Sequence, residues 1–355
     1  MKNLAIVGTR GVPAKYGGYE TFADEFARFN NGKYQLTIYG EGNQESPADF
    51  YGASVEHLPF LKSKKQIQYY WISIFRAVKK HDVILITGPG GGFFIPIFKL
   101  FYPKKKFVVN PDGLEFVRSK WSPIVRFILW CMSWASVFCA DLIIADSIGI
   151  ASYYSNNLRF LKRKIRVIEY GSKLFDLVNS FDSDYYLLVA RMVPENNLIM
   201  IVKGFIRSET NKRLIIVSDL PRTKYLSDLE NILKGEKNIQ LIGPVYEKEK
   251  LENLRCNAFA HFHGHSVGGT NPSLLEAMSA GAPIIAHDNV FNKEVLSEDG
   301  LFFRDEDDIV NQISLMESKD CIWFQTKSEN NRTRIAQYYN WDRIFTEYLK
   351  VLANV

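Results

Sequence analysis

Cysteine is scarce in this chain, and long apolar runs are missing from it. The four cysteines form no CxxC pair and no regular framework, which argues against structural disulfides and fits a reducing compartment. The longest nearly uncharged stretch, FILWCMSWASVFCA, is shorter than the roughly 20 residues that a membrane-spanning helix needs. The apolar start LAIV runs directly into Gly-Thr-Arg-Gly, which is not the pattern of a secretory signal peptide. We therefore expect a cytoplasmic protein.

Length and charge indicate two unlike halves. A chain of 355 residues with 46% hydrophobic and 23% charged residues suits two globular domains. Residues 1–170 contain 23 Lys/Arg against 13 Asp/Glu, a net charge of +10, whereas the remainder carries −5. A basic first half indicates contact with an anion, such as phosphate or a membrane surface.

Short apolar runs alternate with longer helical stretches, which predicts an α/β fold. The predicted strands lie at 4–8, 35–40, 83–87, 107–110, 142–146, 165–169, 185–190, 213–218, 239–243, 258–263, 283–287 and 300–303. Each half is typical of a doubly wound, Rossmann-like domain with ligands at the carboxyl ends of its strands. We predict domains at 1–170 and from 185 onward, joined by a polar linker at 171–184, with the two sheets facing across a cleft.

A glycine-rich loop follows the first predicted strand. GTRGVPAKYGGYE (8–20) contains Gly17 and Gly18 directly before a predicted helix, and Arg10 and Lys15 lie in the same loop. Its spacing is neither GxGxxG nor a P-loop, so neither a dinucleotide nor an NTPase motif is present. An ordinary βα loop is the alternative, but the glycines and cations favour a phosphate or sugar contact.

A second glycine-rich segment, GGTNPSLLEAMSAGAP (268–283), predicts a helix with defined ends. Asn271 suits the N-cap, the following proline the first helical position, and Gly281 the C-terminal end. We expect the amides at the helix start to be open to an anion, with Glu276 as a separate acceptor for vicinal hydroxyls. A diphosphate and a ribose together describe a nucleotide, although a solvated helix glutamate is the alternative.

Four motifs carry a resemblance to a known family. SLLEAMSAGAPIIA (273–286), YGGYE (16–20), LLVARMVPENN (187–197) and YYNWDRIFTEYLKVL (338–352) resemble motifs of the retaining glycosyltransferase family four, which has the GT-B fold. The resemblance implies that Glu276 contacts the donor ribose and that Arg191 meets the diphosphate. It also implies a second domain at 185–335, followed by a terminal helix (336–355) that crosses back onto the first domain.

A subgroup of that family is more similar still. The bacterial rhamnosyltransferase-like enzymes resemble this chain in GTRGVPAKYGGYETF, NPDGLE, VPENN and HGHSVGGTNPSLLEAM, including two departures from the wider family. These are Gly268 in place of a glutamate and Asn196 in place of a lysine. The subgroup implies transfer of L-rhamnose from dTDP-L-rhamnose onto an undecaprenyl-diphosphate-linked saccharide for capsule or other surface polysaccharide.

The resemblance also implies the roles of individual residues. Retention requires the acceptor to attack the face that the nucleotide leaves, and a departing phosphate oxygen then takes the proton. No cofactor and no metal are expected, because Arg191 and the helix start can neutralise the leaving group. The predicted diphosphate contacts are Gly17, Gly18, Arg191, Thr270, Asn271 and Ser273. Asp112, Tyr19 and His265 are predicted near the reacting sugar, with Arg10 and Glu115 on the acceptor side.

Other motifs permit competing interpretations. HFHGH (261–265) could gather metal ligands, but no nearby cysteine or carboxylate completes a set, which favours His265 as a hydrogen-bond partner of the donor. DSD (182–184) precedes a strand and is assigned to the linker, and DEDD (305–308) to a helix N-terminus. NPDGLE (110–115), with Asp112 and Glu115, fits a simple turn equally well.

Lysines and arginines alternate with aromatic residues at 60–80, 98–107 and 118–130. A solvated helix face is the usual meaning of such a pattern, but three cases in the basic half favour peripheral contact with anionic lipid at the inner membrane face. No nucleic-acid motif accompanies the charge. A GT-B epimerase or hydrolase of nucleotide sugars and a non-catalytic binding subunit remain alternative functions.

Overall fold

The computed structural model describes residues 2–14, 17–42, 47–59, 65–111, 113–118, 121–176 and 183–355. The chain forms two compact units. The first consists of Met1–Tyr170 together with Trp341–Val355, and the second of Gly171–Asn340.

The first unit is a parallel sheet with helices around it. Its strands, within the described residues, are β1 (Asn3–Val7), β2 (Gln35–Glu41), β3 (Asp49–Phe50), β4 (Ala53–Leu58), β5 (Val83–Thr87), β6 (Lys106–Asn110), β7 (Leu142–Ala145) and β8 (Ile165–Val167). Its helices there are α1 (Gly18–Asn30), α2 (Gln66–Lys80), α3 (Phe94–Phe101), α4 (Pro123–Cys139), α5 (Ile148–Asn157) and, from the chain end, α13 (Trp341–Ala353). The strand order is β3-β4-β2-β1-β5-β6-β7-β8, with only the β3–β4 pairing antiparallel among these strands.

The second unit repeats the scheme. Its described strands are β9 (Tyr185–Val189), β10 (Arg213–Val217), β11 (Ile239–Ile242), β12 (Ala260–His263), β13 (Ile284–His287) and β14 (Leu301–Phe303). Its described helices are α6 (Leu198–Arg207), α7 (Lys224–Ile232), α8 (Lys248–Cys256), α9 (Pro272–Ala280), α10 (Val290–Leu296), α11 (Glu306–Glu317) and α12 (Cys321–Tyr338). The parallel order β11-β10-β9-β12-β13-β14 reverses direction between β9 and β12, which is where open α/β sheets bind ligands.

All predicted strands are present, and their bounds differ from the predictions by at most two residues at either end. β3 and β4 were not predicted. β4 lies towards one edge of its sheet and contains Glu56 and His57, so it lacks the continuous apolar run that marks strands such as β5, which is buried throughout.

The terminal helix α13 packs in the first unit through aromatic rings. Phe345 lies with its ring centroid 5.3 Å from that of Phe26 and 5.7 Å from that of Phe22, both on α1. Tyr348 lies 4.9 Å from Phe22, and its hydroxyl accepts a hydrogen bond from the Asn110 amide at 3.3 Å. These buried contacts explain why the last segment of the chain belongs to the first core.

Helix α4 is oriented with its large apolar residues outward. Its buried residues are Ser133, Ser136 and Val137. Close packing explains the small inward side chains, because a Cβ on Gly92 would lie 2.0 Å from the carbonyl oxygen of Met132. The outward residues of α4 and its neighbour α3 form what we call the α3–α4 face, and they are Ile97, Leu100, Phe101, Ile124, Phe127, Ile128 and Phe138. Among the described residues, no helix is long and apolar enough to cross a membrane.

Candidate functional site

In the second unit, the loops after β9 and β12 meet at the carboxyl edge of the sheet. The Asn197 amide donates to the carbonyl of Gly264 at 2.8 Å, and the backbone amide of Ser266 donates to the carbonyl of Glu195 at 2.9 Å. The Ser273 hydroxyl donates to the carbonyl of Val189 at 3.2 Å, so the start of α9 lies against the end of β9. The strand-order reversal therefore brings 190–197 and 264–273 together.

Helix α9 has the bounds and caps that the sequence predicts. Asn271 is its N-cap, with its side chain accepting from the Ser273 amide at 2.9 Å, and Pro272 is its first residue. Gly281 ends the helix with φ of 79°, a left-handed conformation that favours glycine. The prediction for this helix is confirmed.

The amides at the start of α9 are occupied, contrary to the expectation that they are open. Ser273 donates to the Asn271 side chain, while Leu274 and Leu275 both donate to the Asn271 carbonyl. Pro272 has no N–H to offer. An anion here must therefore be held by the segment before Pro272 or displace the cap, and the helix dipole remains as long-range support.

Glu276 forms an ion pair that the sequence did not reveal. Its Oε2 lies 2.6 Å from Nη2 of Arg255, at the end of α8. The Arg255 side chain is 5% exposed and that of Glu276 is 38% exposed. The carboxylate thus lies at the surface of the site, with a buried guanidinium directly behind it.

The side chain of His265 is held by that of Asn196. Its Nδ1 lies 2.7 Å from Oδ1 of Asn196, whose amide nitrogen donates to the carbonyl of Arg191 at 2.8 Å. Because the amide oxygen can only accept, the imidazole donates from Nδ1 to Asn196. Arg191 itself is exposed, and no carboxylate of the described chain pairs with its guanidinium. Asn196 thereby links His265 to the Arg191 loop.

Gly268 is required by the same arrangement. Its φ is 134°, and an added Cβ would lie 3.0 Å from Nε2 of His265. A glutamate at this position would need both a rare backbone conformation and a displaced histidine. Gly268 and Asn196, the two departures noted in the sequence, therefore both lie against His265.

The other histidines of HFHGH lie within the core. Burial lowers the pKa of His261 and of His263 to about 3, so both are neutral at physiological pH. Nε2 of His261 contacts the carbonyl of Arg255 at 3.0 Å. Over the described ranges, no group of three or more His, Cys, Asp or Glu side chains could hold a metal ion.

The glycine-rich loop of the first unit is held by its own helix. The Arg10 amide donates to Oε1 of Glu20 at 2.7 Å, and the Arg10 side chain lies 3.8 Å from Glu41. Gly8 is required by packing, because a Cβ there would lie 2.2 Å from the carbonyl oxygen of Thr87. Gly17, in contrast, has an extended φ of −176° and room for a Cβ. Neither strain nor crowding explains Gly17, which leaves ligand access as its predicted reason.

The remaining predicted residues divide between the units. Gly18 is the first residue of α1, and the Tyr19 hydroxyl lies in the first unit beside Gly88, at 3.1 Å from an added Cβ. Thr270 is buried in the second unit. Glu115 pairs with Arg118 at 2.8 Å and accepts from Trp121 Nε1 at 2.9 Å, so both of its oxygens have partners within its own segment.

Of three predictions from short motifs, the structure describes the whole motif for one. Asp112 and Asp182 lie outside the described residues. The DEDD prediction is confirmed, since Asp305 caps α11 and the three acidic residues after it form the first turn.

Comparison with known protein families finds a match in each half of the chain. The family described as a domain of unknown function (DUF1972) matches residues 1–173, and the family Glycosyl transferases group 1 matches residues 175–338. A search of curated protein sequences finds no match to this chain.

Solved structures of the same fold cover the whole chain. Sucrose-phosphate synthase from Thermosynechococcus elongatus is 14% identical, with a TM-score of 0.81 and full coverage of both chains. HepE from Anabaena, solved with UDP-glucose, is 14% identical, with a TM-score of 0.80 and full coverage of both. A glycosyltransferase from Rickettsia africae is 14% identical, with a TM-score of 0.72, and 99% of this chain and 97% of that chain are covered. Residues 175–338 thus form a Glycosyl transferases group 1 domain, and the chain is a glycosyltransferase with the GT-B fold.

Proposed function

We propose that this enzyme transfers a sugar from a nucleotide diphosphate, with retention, onto a lipid-linked saccharide. L-Rhamnose from dTDP-L-rhamnose is the donor that the motif resemblance favours, for synthesis of a bacterial surface polysaccharide. The observation that carries the proposal is the edge of the second sheet in a Glycosyl transferases group 1 domain. The loops of Arg191 and His265 meet there, beside the start of α9, the helix that contains Glu276.

The donor contacts follow from the chemistry of that edge. Glu276 presents carboxylate oxygen to the pentose hydroxyls. The exposed guanidinium of Arg191 is a fork of donors suited to a diphosphate. HepE, a structural neighbour, has been solved with UDP-glucose and with UDP, which supports a nucleotide-sugar donor here. His265, which Asn196 orients, is the proposed contact of the transferred sugar on this edge.

The same groups account for the reaction without a metal ion. Bond breaking at the anomeric carbon develops negative charge on the leaving diphosphate, which Arg191 and the dipole of α9 stabilise. An acceptor hydroxyl that attacks the same face can pass its proton to the departing phosphate oxygen. The roles of the predicted first-unit residues Gly17, Gly18, Tyr19, Arg10, Asp112 and Glu115 remain part of this proposal.

The α3–α4 face supports an acceptor at a membrane. Leu100, Phe101, Ile124 and Phe127 are between 65% and 77% exposed. Contiguous outward apolar surface of this kind marks an interaction site, and protruding aliphatic and aromatic side chains suit the boundary between headgroups and acyl chains. We propose that this face rests on the inner side of the cytoplasmic membrane, where a polyprenyl-linked acceptor is held.

The charge around the α3–α4 face indicates which kind of membrane surface it would bind. Segments 93–108, 116–140 and 147–168 contain no Asp or Glu. The rim includes exposed Lys104, Arg159, Lys162 and Arg163, and Phe160 joins it to α4 through a ring contact with Phe138 at 5.8 Å. Each cation near an anionic bilayer contributes about 1 kcal/mol, so the rim favours anionic lipid.

The test is transfer by the purified protein. Vesicles carrying an undecaprenyl-diphosphate-linked saccharide are mixed in turn with dTDP-L-rhamnose, UDP-glucose and UDP-N-acetylglucosamine, and the products are identified by mass spectrometry and NMR. Rhamnosylated glycolipid with the anomeric configuration of the donor supports the proposal. Glycolipid from a UDP-sugar alone corrects the donor, and free sugar or an epimer without glycolipid indicates a hydrolase or epimerase instead.

A further inference from the structure

Two asparagines outside the proposed reaction converge on one carbonyl group. The side-chain amide nitrogens of Asn289 and Asn292 each lie 3.0 Å from the carbonyl oxygen of His265. A carbonyl oxygen has two lone pairs, so it can accept from both amides at once. Asn292 also donates to the carbonyl of His287 at 2.8 Å, and it therefore joins the loop after β12 to the end of β13.

The formation of helix α10 does not account for these two amides. Asn292 is the third residue of α10 and is 2% exposed, although asparagine has low helix propensity and a buried amide carries a desolvation cost. Asn289 caps the helix through Oδ1, which accepts from the backbone amides of Phe291 and Asn292. Its amide nitrogen takes no part in that cap. The two NH2 groups are explained instead by the carbonyl that they hold.

We propose that Asn289 and Asn292 are positioning residues that hold His265 at the transferred sugar. Strands β9 and β13 are the two neighbours of β12 in the sheet. From the loop after β9, Asn196 holds the ring of His265 at 2.7 Å, and from beyond β13 the two asparagines hold its backbone. Fixing a contact residue in this way lowers the cost of ordering it when the ligand binds.

This inference rests on the proposed contact between His265 and the sugar. It predicts that both asparagines affect recognition of the sugar and not of the nucleotide. The test therefore compares the affinity for a nucleotide sugar with the affinity for the nucleotide alone. Calorimetry with dTDP-L-rhamnose and dTDP, and with UDP-glucose and UDP, gives a ratio of affinities that isolates the sugar.

The variants remove one amide at a time. Asn292→Leu removes the amide at similar volume, and Asn289→Ser removes it while keeping a good N-cap. Asn30→Leu is the matched control in the first unit. Asn30 is also 2% exposed, and its amide nitrogen donates to the carbonyl of Tyr34 at 2.9 Å.

We expect Asn292→Leu and Asn289→Ser each to lower the ratio of affinities by roughly 3- to 10-fold, the scale of one neutral hydrogen bond. Asn30→Leu lowers the melting temperature and keeps the wild-type ratio. His265→Ala lowers the ratio by itself, and Asn292→Leu added to His265→Ala lowers it no further, because the two residues act as one unit.

The contrary outcomes are distinct. A lowered melting temperature with an unchanged ratio in both asparagine variants shows that the two amides are only structural, and it overturns the inference. A further fall of the ratio when Asn292→Leu is added to His265→Ala also overturns it, since Asn292 then acts independently of the histidine. An unchanged ratio in His265→Ala does so even if both asparagine variants fail to fold. Absence of any nucleotide binding by the wild-type protein overturns the proposed function itself.

Discussion

Two helices, α4 in the first unit and α9 in the second, differ in which side chains they bury. Helix α4 buries Ser133 and Ser136 and turns Ile124 and Phe127 outward. Helix α9 buries Leu275 and Met278 and leaves Glu276 at the surface, as a soluble α/β domain normally does. The first unit therefore exposes large apolar side chains, while the second arranges polar groups along the carboxyl edge of its sheet. The predictions below test that division.

The largest effect is expected at Glu276. Replacing it with alanine removes the proposed pentose contact, and we expect turnover to fall roughly 10–1000-fold. It also leaves the buried guanidinium of Arg255 without its partner. Loss of one partner of a fully buried pair costs about 3–5 kcal/mol, and the partial exposure of Glu276 reduces the expected loss to about 2 kcal/mol. Steady-state kinetics and urea unfolding measure the two effects.

Two further variants separate catalysis from stability. Glu276→Gln retains an oxygen for Arg255, so its stability should lie closer to that of the wild-type protein while turnover remains low. Asp299→Ala breaks the Lys327 pair away from the site and should lower stability without a matching loss of turnover. Near-wild-type turnover in Glu276→Ala would remove the pentose assignment.

The α3–α4 face should govern binding to membranes. Ile124→Ser with Phe127→Ser removes two exposed side chains that we propose insert into lipid. We expect vesicle binding to fall about 100-fold, roughly 10-fold for each. Sedimentation with vesicles containing anionic lipid measures this, and raised salt should weaken the remaining binding. Leu220→Ser with Tyr246→Ser is the control, because both are exposed apolar residues of the second unit. An equal loss in the control pair would contradict the division between the units.

As the pH falls, we expect the second unit to lose folding stability before the first. The folded-state pKa of His261 and of His263 is about 3, far below the unfolded value of about 6.5. The unfolded chain binds more protons between these values, so stability is fully present above about pH 6.5 and falls as the pH drops below it. Each histidine contributes a loss of roughly 1–2 kcal/mol by pH 5.5.

Hydrogen exchange at pH 7.5 and 5.5 reports on each unit separately. We expect β12 and its neighbours to lose protection at the lower pH, and His263→Gln to reduce that loss. His57→Gln, on β4 of the first unit, is the control. Equal loss of protection in both units would show that His261 and His263 do not make the second unit the more acid-sensitive one.

The strands and α9 could be predicted because their signals are local. Parallel strands show as continuous apolar runs, and α9 is marked by Asn271 at one end and Gly281 at the other. The pairing of Arg255 with Glu276 and of Asn196 with His265 could not be predicted, since each joins separate loops through the order of the strands. The orientation of α4 could not be predicted, because its sequence is apolar on nearly every side.

The smallest effect is expected at Gly268. It tests whether the close contact between Gly268 and His265 is needed for the arrangement of polar residues in the second unit. Gly268→Ala must adopt φ near 134° and push against Nε2 of His265, so we expect about 1–2 kcal/mol of lost stability and weaker nucleotide binding. Gly243→Ala is the matched control, because no atom lies within 4 Å of its added Cβ and its φ is ordinary. Calorimetric unfolding and nucleotide titration should separate the two variants. If they behave alike, His265 does not depend on this close contact, and Gly268 and Asn196 are unrelated departures from the family pattern.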